Sequence, residues 1–214
     1  EILHKRPDGY HEIQTIFQKI SLYDDITLSR ASEDLLSISV DDPLVPSDQS
    51  NLAYKAASLV LHDQKIPSGV AISIKKRIPV GAGLGGGSSN AAATVHAINH
   101  IFDLHLSSAY LQDLGKKLGA DVPFFLTKYQ TGLGIERGDK VIRLGNKTVK
   151  LYFVLFIFPQ GLKTKTVYQK FAYQQRQISL TNIITKVIML PLFLRRKDVN
   201  AIERISYNDL LKPA

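Results

Sequence analysis

No cysteine occurs in the 214 residues, which excludes disulfides and thiolate metal sites and makes a reducing, cytoplasmic compartment the expectation. Tryptophan is also absent. Long hydrophobic runs are missing too. The longest, Leu151-Tyr-Phe-Val-Leu-Phe-Ile-Phe158, has the length of a buried strand and falls well short of the roughly 20 residues a bilayer-spanning helix needs. The opening residues, Glu1-Ile-Leu-His-Lys-Arg-Pro-Asp8, lack a basic stretch followed by an apolar one, so nothing in them predicts secretion. No segment repeats another.

What is present suits one large domain or one domain and part of a second, because 44% of the residues are hydrophobic and can fill a core. The formal charge of +8 favours an anionic ligand. Its clusters, Lys75-Lys76-Arg77 and Arg195-Arg196-Lys197, are short and carry no interleaved aromatics, so they predict solvated faces and not a nucleic-acid platform.

The densest chemical signal is Pro79-Val-Gly-Ala-Gly-Leu-Gly-Gly-Gly-Ser-Ser-Asn90. Glycines 81, 83, 85, 86 and 87 allow positive φ and bring backbone N–H groups close to a ligand with no Cβ in the way. Ser88, Ser89 and Asn90 are expected to open a helix, whose orphan amides and positive dipole end favour an anion. Loop and helix start together predict a polyphosphate cradle. A flexible surface loop is the plainer alternative, and it fits poorly between a β-branched strand and an alanine-rich helix.

Around this loop the chain alternates strands and helices. Alternation over Ile13 to Gln18, a turn at Tyr23-Asp24-Asp25 and a returning strand at Ile26 to Leu28 predict a hairpin-like start. Ser50 or Asn51 caps a helix ending near His62, and Val70, Ile72 and Ile74 share one face of a strand. After the loop, Ala91, Val95, Ile98 and Phe102 form a helical stripe. Ser107 or Ser108 caps a second helix that Gly119 stops. Asp121, just before Pro123, lies in a short connection, where its carboxylate either faces a cleft or merely caps the next element. His96 and His100 are one turn apart, but no third ligand has metal-site spacing, so no protein-held metal is expected.

Three segments carry a resemblance. Pro7-Asp-Gly-Tyr-His11, the glycine stretch from Pro79 to Ala92, and Gly119-Ala-Asp-Val-Pro-Phe-Phe125 together resemble the GHMP kinase superfamily. With Asn208-Asp-Leu-x-x-Pro-Ala214 they are most similar to its family of 4-diphosphocytidyl-2-C-methyl-D-erythritol kinases. The resemblance implies an α+β GHMP kinase fold: a ribosomal-protein-S5-like N-terminal domain, 1–146, and a ferredoxin-like C-terminal domain, 147–214, with the active site in the cleft between them. It implies an enzyme of isoprenoid precursor synthesis that transfers the γ-phosphoryl of ATP, carried with Mg²⁺, to the 2-hydroxyl of a cytidine diphosphate-linked methylerythritol. The partner is then a small molecule, with neither nucleic acid nor membrane involved.

By the same resemblance Asp121 is the catalytic residue and Pro79, Val80, Gly81, Ala82, Gly83, Leu84, Gly85, Gly86, Gly87, Ser88 and Ser89 hold the triphosphate. Asn51, Lys76 and Asn99 lie near the adenosine, while Tyr10, His11, Thr164 and Tyr168 receive the cytidine. Members of the family also have a Pro-Ala-Lys-x-Asn strand, which would precede Glu1, and a glycine-serine loop, which would follow Ala214. The second domain is therefore expected to be incomplete, and a nucleotide-binding relative without turnover is the alternative function. The spacing Gly81-x-Gly83-x-x-Gly86 also satisfies a dinucleotide fingerprint, but Asp103 follows a helix where an oxidoreductase of that type needs a strand.

Overall fold

The computed structural model describes residues 1–32, 35–144, 150–157, 167–168, 189–190, 192–193, 195–196, 198–205 and 208–209. They fall into two units, one comprising Ile20–Lys128 and the other Glu1–Lys19, Tyr129–Phe156 and the described residues from 167 onward.

The Ile20–Lys128 unit is built on a three-stranded sheet. β4 (Asp25–Ala31) and β5 (Leu36–Val40) flank β6 (Gly69–Lys75), antiparallel to β4 and parallel to β5. Two parallel neighbours need a crossover, and α1 (Leu52–Asp63) supplies it. Its N-cap is Asn51, whose Oδ1 accepts the Ala53 N–H at 2.9 Å. α2 (Gly86–Ile101), α3 (Ser108–Leu118) and the short α4 (Val122–Leu126) complete the unit. Ser107 caps α3, accepting the Tyr110 N–H at 3.2 Å, and Gly119 ends it. Their apolar stripes meet the sheet in one core containing Ala56, Val60, Ile72, Ile74, Val95 and Ile98, none more than 2% exposed.

The other unit holds two small sheets. β1 (Ile2–Lys5) pairs antiparallel with β2 (His11–Ile13) across the Pro7-Asp8-Gly9 turn, where Asp8 Oδ1 accepts the Tyr10 N–H at 3.1 Å. β3 (Thr15–Gln18), β7 (Thr131–Ile135) and β8 (Lys140–Arg143) form the second, with β7 central. Leu133, Leu144 and Leu190 make its core, with Ile202 of α5 (Val199–Ile205) packed against them.

Three expectations need correction. β3 does not pair with β4: its hydrogen bonds go to β7 and those of β4 to β6, so the opening is not a hairpin across Tyr23-Asp24-Asp25. Both partners lie far along the chain, where local alternation carries no information about pairing. Leu151–Ile157 forms no strand, and Tyr152, Val154 and Phe156 are 82%, 82% and 84% exposed; among the described residues no strand lies alongside to take up its backbone groups. The helix after the glycine loop begins at Gly86, two residues before Ser88, because Gly85 takes the N-cap position.

Candidate active site

β6 delivers the chain to the glycine loop through Lys76, Arg77 and Ile78, and this entry is pinned by side chains. Asp24 Oδ1 accepts the N–H groups of Arg77 and Ile78, both at 2.7 Å, and its Oδ2 accepts the Lys76 ammonium at 2.5 Å. Asp41 Oδ1 accepts the Lys76 N–H at 2.8 Å. The Asp24 side chain is wholly buried and that of Lys76 nearly so. Burial by itself would raise the Asp24 carboxyl, but the two backbone N–H groups, the Lys76 ammonium and the Asn90 side chain outweigh it and hold the pKa below the ordinary value.

Beyond Ile78 the loop opens. Gly81, Gly83 and Gly85 have φ of 72°, 71° and 69°, alternating with Ala82 and Leu84, which lack positive φ. Such alternation turns successive N–H groups toward one concave side. A Cβ on Gly83 would meet nothing within 4 Å, whereas one on Gly85 would come within 3.0 Å of the Phe125 ring. The first intrahelical bond of α2 is donated by Ser89 N to Gly85 O, which leaves the earlier amides of Gly86, Gly87 and Ser88 for another acceptor. Pro79, Val80, Gly81, Ala82, Gly83, Leu84, Gly85, Gly86, Gly87, Ser88 and Ser89 thus form one continuous turn-and-helix-start, with the Ser89 hydroxyl donating to Gly86 O at 2.8 Å.

Phe125 belongs to α4, so the segment that begins at Asp121 packs on the loop. Asp121 occupies the N-cap position of α4, yet its side chain accepts no capping hydrogen bond, which leaves it solvent-exposed and not consumed as a helix cap. Desolvation by the protein packed around it raises its carboxyl above the ordinary value.

The three adenosine candidates separate. Lys76 Nζ lies beside the start of α2, 3.3 Å from where a Cβ of Gly86 would stand. Asn51 is also near, because its neighbour Leu52 faces Gly87, but its side chain is engaged in the fold: Oδ1 caps α1 and Nδ2 donates to Pro46 O at 2.7 Å. Asn99 is not brought to the loop. It sits near the far end of α2, about 20 Å from Gly86 at 1.5 Å per residue, and its Oδ1 accepts the Leu106 N–H at 2.9 Å. The asparagine near the loop is Asn90, which is buried and helps to lower the Asp24 pKa.

Of the cytidine candidates, His11 and Tyr168 meet directly, ring centres 5.2 Å apart and tilted by 32°. Desolvation, then the charge of Lys5, lowers the His11 pKa, which favours the neutral ring. Tyr10 is 56% exposed, and the Arg137 guanidinium carbon stands 5.0 Å from its ring centre. Arg137 is itself bound by the buried carboxylate of Asp139, Nε to Oδ2 at 2.9 Å. Thr164 lies outside the described residues.

Residue reading missed Asp24, Asn90, Phe125 and Arg137. Asp24 and Lys76 are 52 positions apart, so only the fold makes them a pair. A usable signal existed for Asn90, which ends the glycine motif one turn inside the helix. Among the described residues no group of three or more His, Asp or Glu could hold a metal, and no helix is long and apolar enough to cross a membrane.

Comparison with known proteins bears on the fold and on the chain's relatives. Residues 51–129 match the family model of the GHMP kinases N terminal domain. The chain is 47% identical over 171 residues to 4-diphosphocytidyl-2-C-methyl-D-erythritol kinase of Alkaliphilus metalliredigens, covering 79% of this chain and 58% of that protein. To the protein of the same name in Bacillus subtilis it is 41% identical over 170 residues, with the same coverages of 79% and 58%. The chain therefore spans a little under three fifths of the length of these curated relatives. A crystal structure of 4-(cytidine 5'-diphospho)-2C-methyl-D-erythritol kinase superposes with a TM-score of 0.63 at 28% identity, covering 94% of this chain and 75% of the other. A homoserine kinase from Cytophaga hutchinsonii, at 18% identity and a TM-score of 0.59 over 86% of this chain and 62% of its own, shares the fold. The chain thus has the GHMP kinase fold, matches the GHMP kinases N terminal domain over residues 51–129, and is similar in sequence to 4-diphosphocytidyl-2-C-methyl-D-erythritol kinases.

Proposed function

We propose that this chain acts as an ATP-dependent kinase on the 2-hydroxyl of 4-diphosphocytidyl-2-C-methyl-D-erythritol, in isoprenoid precursor synthesis. The observation that carries the reading is the cradle of amides from Val80 to Ser89, on which the Asp121 segment packs through Phe125. The loop fits a triphosphate because its three left-handed glycines expose N–H groups on one side and the dipole of α2 adds positive potential there. ATP, with Mg²⁺, supplies the phosphoryl group to be transferred.

Phosphoryl transfer asks a protein chiefly for positioning and charge neutralisation. The loop amides hold and screen the phosphate oxygens. The Asp121 carboxylate, with no capping bond to make, accepts the proton of the attacking hydroxyl oxygen. Asn51 and Lys76 border the nucleotide end, and Asn99 serves the fold. The reading assigns the cytosine to Tyr10 and His11, stacked on the exposed Tyr10 ring, with Thr164 and Tyr168 supporting it. Calorimetric titration with ATP and Mg²⁺, then ATP consumption with and without the cytidine substrate, tests it. Binding with substrate-dependent consumption is expected. Binding without consumption reduces the chain to a nucleotide-binding relative, and no heat of binding removes the reading.

A further inference from the structure

Asp24 is absent from every segment that carries the family resemblance, yet its carboxylate is the point at which the two ends of the glycine loop are joined. On the entry side it receives the N–H groups of Arg77 and Ile78, each at 2.7 Å, and the ammonium of Lys76 at 2.5 Å. On the exit side the buried Asn90 side chain, one turn inside α2, helps to hold the same carboxyl below its ordinary pKa, and the Lys76 ammonium that Asp24 binds stands 3.3 Å from where a Cβ of Gly86 would lie. Three donors from the entry flank therefore converge on one fully buried side chain, which Asn90 of the exit flank also influences. The loop's glycines make it deformable, so its shape has to be imposed from its ends. Two anchors on one rigid acceptor do that. The neighbouring Asp25 instead pairs with the exposed Arg77 guanidinium.

We propose that Asp24 is a positioning residue of the nucleotide site: it clamps the entry and the exit of the glycine loop together and fixes the Lys76 ammonium beside the first turn of α2. This inference rests on the reading of the loop as the nucleotide site. Lys76 alone would bring a positive charge to the positive end of a helix, an unfavourable placement unless a carboxylate stands by it. Asp24 is that carboxylate, so it sets both the width of the cradle and the charge at its rim. It touches neither nucleotide nor substrate and acts only through Lys76, the two amides and Asn90.

The test uses the full chain and four variants: Asp24→Asn, Lys76→Met, the double substitution, and Asp25→Asn as a surface control. ATP affinity with Mg²⁺ is read by calorimetry, and exchange of the Arg77 and Ile78 amides by hydrogen–deuterium mass spectrometry. Asp24→Asn is expected to weaken ATP binding about tenfold or more, the scale of losing a buried charge-assisted hydrogen bond, and to speed exchange at both amides. Lys76→Met weakens binding in the parent but adds little in the Asp24→Asn background, the coupling expected of two residues that act on the nucleotide through one contact. Asp25→Asn leaves affinity unchanged. If the parent binds no ATP, the nucleotide reading fails, while amide exchange still reports on the clamp. If the parent binds ATP and Asp24→Asn binds it equally well, or the two substitutions add fully, the positioning role is overturned. Should Asp24→Asn not fold, Asn90→Ala removes the exit arm alone, and unchanged ATP affinity in that variant overturns the clamp.

Discussion

Asp121 and Asp24 show how two aspartates in one unit take opposite characters. Asp121 stands at a helix N-cap without capping it, and crowding by protein lifts its pKa; Asp24 is saturated with donors and titrates low. In the proposed mechanism the first accepts the proton of the attacking hydroxyl, while the second holds the entry to the glycine loop. Asp121→Asn is expected to lower turnover of the cytidine substrate by at least about 100-fold, the usual scale of a lost general base, while the ATP affinity measured by calorimetry holds. Equal turnover would take Asp121 out of the mechanism. For Asp24 the consequence is a pH-dependent stability. Its folded pKa lies below the unfolded value, so its contribution is full above the ordinary value of 3.8 and disappears as pH falls through the folded pKa. Urea unfolding between pH 7 and pH values below 3.8 should show a steeper acid loss in the parent than in Asp24→Asn. Parallel curves would count against the clamp's charge.

Among elements, the junction of β6, the glycine loop and α2 carries the geometry of the proposed nucleotide site. β6 is the central strand of its sheet, paired on both sides, so the loop leaves from the best-held strand of the unit. α4 contributes differently, laying the Phe125 ring over Gly85. Gly85→Ala would put a side chain on a left-handed backbone and against that ring. It is expected to cost about 1–2 kcal/mol, seen as a lower thermal midpoint together with weakened ATP binding. A shift in only one of the two would separate the loop's conformation from its function. Strand pairing belongs to this scale too, and here local pattern misled: the alternation of Ile13 to Gln18 marks a strand but not its partner, which is β7. The helices were legible because their signals are local, with Asn51 and Ser107 at the caps and apolar residues at helical spacing.

At the scale of the molecule, stability resides in two separate cores, the larger under α1, α2 and the β4–β6–β5 sheet. Ile98, 0% exposed in that core, is the sensitive position. Ile98→Ala is expected to cost about 2–5 kcal/mol, measured as an earlier urea transition reported by amides of α1 and β6. A change of less than 1 kcal/mol, well under the roughly 2 kcal/mol lower bound for such truncations, would mean that the cavity collapses or that this core does not limit stability. Relatives of the chain are longer than it is, so activity and substrate are matters for the kinase assay, whereas the fold and the glycine loop's geometry rest on the structure itself.

By itself the sequence determined what short range can determine: glycines that permit a left-handed loop, caps and stripes that make helices, an absence of thiols, and a motif set that resembles the GHMP kinases. Tertiary structure decided what depends on distant residues meeting. It placed Asn90 near the loop and Asn99 away from it, since α2 is rigid and rises along its axis. It also made a clamp of Asp24, because only folding brings a carboxylate to donors 52 positions away, and desolvation then makes their hydrogen bonds strong enough to matter.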